Sequence, residues 1–76
     1  MTGTKKPDIF NFSVRLRIAR KKTDMTVRKL SELSGVSMIS IYLYEEGRSY
    51  PSFFSAALLA SALGVSLDWL AGVGVK

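Results

Sequence analysis

Histidine and cysteine are absent from this 76-residue chain. With them go the side chains that most often build nucleophile–base pairs, thiolate or imidazole zinc sites and disulfide frameworks. The carboxylates are Asp8, Asp24, Glu32, Glu45, Glu46 and Asp68. Glu45 and Glu46 are adjacent, so on a helix they point about 100° apart and do not oppose each other as an acid–base pair. No glycine-rich phosphate loop and no metal-ligand spacing occurs. The chain is therefore expected not to be an enzyme and to need no cofactor and no metal. What remains is ionic chemistry. The net charge is +5, and every Lys and Arg except Arg48 and Lys76 falls within residues 1–29, opposed there only by Asp8 and Asp24. A basic half suits a polyanion such as nucleic acid, and taken alone it equally suits a solvated basic surface.

The elements that must position these charges follow from apolar spacing and its punctuation. At 47% hydrophobic and 22% charged residues, the chain is a folding sequence with one small core. Gly35, Gly47 and Gly64 each end a helical apolar pattern, and Thr26, Ser37 and Ser66 stand at N-cap positions just before the next. Pro51 breaks the chain ahead of a fourth helix. The spacing predicts an all-α bundle of five helices near 10–22, 26–34, 37–45, 52–63 and 66–71. Phe12, Leu16 and Ala19 are expected inside, with Met25, Leu30, Ser34, Ile41, Tyr44, Phe53, Ala56, Leu59, Ala60, Leu63, Val65 and Leu70. Residues 1–8, with Lys5 and Lys6, are expected to be a flexible basic arm, 9–71 the folded domain, and 72–76 a tail or linker start. No apolar run reaches the roughly 18 residues of a membrane span, and the N-terminus lacks signal-peptide form, so a cytoplasmic, non-membrane location is expected.

From Met25 the chain reads M-T-V-R-K-L-S-E-L-S-G-V-S-M-I-S-I-Y-L-Y-E-E-G. Two short helices meet at the tight turn Gly35-Val36-Ser37 and must cross steeply. Leu30, Val36 and Ile41 can then form one apolar cluster while the outer face of the helix from Ser37 protrudes. A protruding helix has about the width a DNA major groove accepts.

Leu16, Arg20, Met25-Thr26, Leu30, Gly35-Val36-Ser37, Ile41, Glu45, Gly47, Pro51, Ala60, Leu63-Gly64-Val65 and Leu70 stand at the spacing of a known pattern. The segment from Leu16 to Gly72 resembles the helix-turn-helix DNA-binding domain of the lambda-repressor and Cro (XRE) type, and Ala60 to Leu70 looks especially like phage repressors. The resemblance implies a lambda-repressor-like five-helix bundle that regulates transcription, places the helix from Ser37 to Glu45 in the major groove, and binds a palindromic operator as a symmetric homodimer through its last helix. It also implies an Arg20–Glu45 ion pair between the first and third helices. Matching to the family assigns base reading to Met38, Ile39, Ser40, Tyr42 and Leu43, and phosphate contacts to Thr26, Val27, Arg28, Ser37, Arg48 and Tyr50. The first turn of a helix attracts anions through its amides and dipole. Phe54, Trp69 and Val73 are candidates for the dimer interface, although Trp69 equally suits a cap over the core.

The reading helix departs from the pattern. The family usually carries Arg, Lys, Gln, Asn, Ser or Thr where this chain has Met38, Ile39, Tyr42 and Leu43, and often Gln where it has Val27. Two readings stand. These side chains could pack on thymine methyls, with the Tyr42 hydroxyl and Ser40 adding hydrogen bonds. Alternatively the face could bind a protein, since Ile18, Leu33, Phe54 and Leu58 also fall at positions that usually meet solvent and would enlarge an apolar patch. DNA binding is the favoured expectation.

Overall fold

A computed structural model describes residues 9–73 of the chain; the expected arm at 1–8 and residues 74–76 of the expected tail lie outside the described residues. Five helices follow in order: α1 (Ile9–Lys22), α2 (Val27–Ser34), α3 (Met38–Glu45), α4 (Phe53–Leu63) and α5 (Leu67–Ala71). Among the described residues the class is all-α.

Each start after α1 is fixed by a side chain. The hydroxyls of Thr26, Ser37, Ser52 and Ser66 accept hydrogen bonds from the amides of Lys29, Ser40, Ser55 and Trp69 at 3.0–3.1 Å. Such a cap satisfies one of the orphan amides of a first turn and is worth about 1 kcal/mol. Ser52 is the cap that Pro51 conceals in the sequence. Between α2 and α3 the chain reverses on Gly35, whose φ of 80° is left-handed, a region that costs other residues about 1–2 kcal/mol. The fold also extends past Ala71. The Val73 amide donates to the Asp68 carbonyl at 3.1 Å, in the turn that follows α5.

The core joins Phe12, Leu16 and Ala19 of α1 to Val27 and Leu30 of α2, Val36 of the turn, Ile41 and Tyr44 of α3, Leu59, Ala60 and Leu63 of α4, and Leu70 of α5. Phe12 and Tyr44 meet edge to face at 6.0 Å, a favoured aromatic geometry. Helix α1 packs on α3 and α5, α2 on α3 and α4, and α4 on α5. The buried Ser34 hydroxyl accepts the Val36 amide at 3.1 Å, so its polarity is satisfied inside. Met25, Val65 and Leu58 pack half-buried against this core.

One expected core residue lies elsewhere: Phe53 is 77% exposed. Ser52 caps α4, so Phe53 is its first residue, and side chains tilt toward a helix's N-terminus. It stands at the rim of a groove lined also by Phe12 of α1 and Leu67 of α5, while Leu59, Ala60 and Leu63 carry the buried inner face. Ala56, on the same expected stripe, is half-buried.

Candidate nucleic-acid interface

Helix α3 has two faces. Ile41, Tyr44 and Glu45 are buried, and their i, i+3, i+4 spacing places them on one side. Ile39 and Tyr42 stand on the other, 73% and 49% exposed. The remaining candidate base readers are intermediate. Met38 packs half-buried against the core, so only part of it faces outward, because the first turn of α3 leans on the bundle. Leu43 and Ser40 are also half-buried. The Ser37 hydroxyl accepts the Ser40 amide and donates to Ser40 Oγ at 2.9 Å, so Ser40 belongs to the cap as much as to the outer face.

The roll of α3 is set by its last residue. Arg20 Nε and Nη2 of α1 donate to the two Glu45 carboxylate oxygens at 2.6 and 2.9 Å, and Arg20 Nη1 donates to the Met25 carbonyl at 2.9 Å. The two side chains are only 14% and 8% exposed. Arg17 adds a hydrogen bond from Nη2 to the Glu45 carbonyl at 2.7 Å. One guanidinium thus ties α1, the α1–α2 loop and α3 together, in the bidentate geometry at which arginine excels. The Glu45 hydrogen bond holds the Arg20 guanidinium above its ordinary pKa, against the opposing effect of burial. Arg17 is a residue that motif matching misses; its one signal is its place one turn before Arg20.

Around α3, Thr26, Arg28, Ser37, Arg48 and Tyr50 are exposed and free to meet a polyanion. Val27 is not: its side chain is 7% exposed, in the core. With Leu30 and Ser34 it makes the buried stripe of α2, so it can offer a phosphate only its first-turn amide. Arg48 Nη1 lies 3.4 Å from Glu46 Oε1 with both side chains exposed, a pair worth at most about 1 kcal/mol and readily exchanged for another anion.

Of the candidate dimer residues, Trp69 and Val73 border different grooves. Phe54 is 71% exposed. Trp69 packs half-buried on the core, and the Arg15 guanidinium lies 5.0 Å from its ring centroid, a cation–π distance. It borders one groove with Ile18, Lys22, Leu63 and Val65. Val73 borders a second, with Phe12, Tyr50, Pro51, Phe53 and Leu67. Among the described residues no acidic cluster could hold a metal ion, and no helix is long and apolar enough to cross a membrane.

Residues 16–70 match the helix-turn-helix family model HTH_3. No curated protein sequence matches the chain. Among solved structures, the restriction-modification controller protein C.AhdI from Aeromonas hydrophila aligns with a TM-score of 0.78 at 27% identity, over 82% of this chain and 94% of that one. The DNA-binding domain of the P22 c2 repressor aligns at 0.74 and 28% identity, over 91% and 84%. A hypothetical transcription factor from Neisseria aligns at 0.80 and 18% identity, over 97% and 90%, and shares the fold.

Proposed function

This chain belongs to the HTH_3 helix-turn-helix family, and on that premise we propose that it is a transcriptional regulator that binds double-stranded DNA in a sequence-specific way, acting by binding and not by catalysis. The observation that carries this reading is the orientation of α3: Glu45 is clamped inward by Arg20 while Ile39 and Tyr42 face outward. A helix held so presents its outer residues to base edges. Thr26, Arg28, Ser37, Arg48, Tyr50 and the Val27 amide supply the phosphate contacts that fix its register. Two copies related by a twofold axis bind a palindromic operator in the cytoplasm, with their α3 helices about 34 Å apart. Phe54, Trp69 and Val73 are the candidates for the subunit contact. The resemblance to phage repressors and to the P22 c2 DNA-binding domain supports repression as the mode of regulation.

Selection from random duplex DNA, repeated at two salt concentrations, tests this function. Enrichment of a palindrome is expected, with an affinity that falls as salt rises because each neutralised phosphate releases counterions. A selection that enriches no sequence at either concentration overturns the reading and favours α3 as a protein-binding face, since Ile39 and Tyr42 are exposed apolar groups.

A further inference from the structure

We propose that α3 recognises its operator chiefly through the 5-methyl groups of thymines, with Ile39 as the principal reader and Tyr42 beside it; this inference rests on the DNA-binding function proposed above. The outer face of α3 offers little else. Between Met38 and Glu45 there is no Arg, Lys, Asn or Gln, the residue types that make paired hydrogen bonds to guanine or adenine. The one acidic side chain of the helix, Glu45, is turned inward and taken by Arg20, so it cannot accept from the amino group of cytosine. Ser40 shares its hydroxyl with the Ser37 cap. What projects farthest is Ile39, an all-hydrocarbon side chain with 73% of its surface open, followed by Tyr42 at 49%.

The major groove displays one apolar feature, the thymine methyl, among donors and acceptors. Laid over a purine edge or a cytosine amino group, Ile39 would strip water from polar atoms and return no hydrogen bond, which is unfavourable. Over a thymine methyl it covers carbon with carbon. The same side chain therefore favours thymine and penalises the alternatives, as specificity requires. The duplex, as against a protein, is indicated by charge. The exposed cations Arg28, Lys29 and Arg48 lie on α2 and in the loop just after α3, where a polyanion beside α3 would meet them.

The test removes only the methyl. A sequence is first selected from random duplex DNA. Each thymine in turn is then replaced by deoxyuridine, which keeps the base pair and every hydrogen-bonding group, and Kd is measured for the unaltered protein and for Ile39→Ala. Because Ile39 is exposed, this variant keeps its fold, which an unchanged Tm verifies. At one or two thymines per half-site, deoxyuridine should weaken binding about fourfold, the effect of losing one buried methyl-sized group. That loss should disappear in Ile39→Ala at the position Ile39 covers. Deoxyuridine tolerated everywhere, or a loss identical in both proteins, overturns the methyl reading and leaves the DNA-binding function standing. Selection that enriches no sequence removes that function, and this inference with it.

Discussion

Removing one partner of the Arg20–Glu45 pair should strip this domain of much of its stability. The carboxylate of Glu45 is 8% exposed and the Arg20 side chain 14%, joined by two hydrogen bonds. In Glu45→Ala the guanidinium keeps only the Met25 carbonyl, and in Arg20→Ala the carboxylate loses both hydrogen bonds of its bidentate partner. An uncompensated charge at such a site costs about 3–5 kcal/mol, whereas an exposed ion pair is worth about 0–1. Domains carry roughly 0.05–0.15 kcal/mol of stability per residue, which for 76 residues is about 4–11 kcal/mol. Either substitution therefore removes about a quarter or more of the total. At about 4–8 °C per kcal/mol for domains of this size, Tm should fall by at least about 12 °C, read by far-ultraviolet circular dichroism with urea melts alongside. Arg20→Met combined with Glu45→Leu should recover most of the loss, because an apolar pair of similar volume carries no stranded charge. The shortfall from additivity measures the coupling. Raising salt to 1 M should change the wild-type value little, since the pair is shielded from solvent ions. Two single variants that each unfold within about 1 kcal/mol of the wild type would place the pair with ordinary surface contacts and refute the clamp that orients α3.

Further predictions concern other parts of the bundle. Gly72 has φ 77°, and a Cβ there would stand 2.6 Å from Asn11 Nδ2, whose side chain is tethered by Arg15 Nε at 2.9 Å. Gly72→Ala should cost about 1–2 kcal/mol for the left-handed backbone alone and more for the clash. Adding Asn11→Ala should relieve only the clash, and a urea midpoint equal to wild type for Gly72→Ala would contradict the geometry. Phe53→Ser should change stability by less than about 0.5 kcal/mol, while Leu59→Ala, at a fully buried site, should cost about 2–5; equal losses would return Phe53 to the core. Arg28→Ala and Arg48→Ala should weaken DNA binding equally for all sequences and lower the salt slope by about 1 each. A change in preferred sequence would make either a base reader.

The five helices are legible in the sequence because their ends are local chemistry. Thr26, Ser37 and Ser66 cap, and Gly35 and Gly64 reverse, using atoms within three or four residues of themselves. What spacing does not convey is the element that lies opposite. Phe53 shares an apolar stripe with Ala56 and Leu59, yet it stands at the open rim of a groove. Val27 shows the converse case, in which only the amide remains available to a phosphate. A match to a surface position in the family assigns it to phosphate, while its spacing to Leu30 and Ser34 is that of an inward face and suffices to place it in the core. The Arg20–Glu45 contact spans 25 residues and is legible only through resemblance. The Arg17 hydrogen bond to the Glu45 carbonyl spans 28 and depends on the packing of α1 against α3. The stack of Arg15 on Trp69 likewise depends on how α1 meets α5, which no local pattern encodes.

The energetics of α3 explain why its outer face is the least legible part of the molecule. Stability is invested in the inner face: Ile41 is fully buried, Tyr44 packs on Phe12, and Glu45 is held by two arginines. None of that depends on what occupies Ile39. Folding therefore places almost no constraint on that position, and its identity carries information about what the helix touches and not about how the chain folds. Leaving an isoleucine 73% exposed gains the free domain nothing, since apolar area stabilises only when it leaves water, at about 25 cal/mol per Å². That free energy becomes available when a surface with carbon at the matching place closes over the helix. A partner that offered only hydrogen-bonding groups would recover none of it and would lose its own hydration as well.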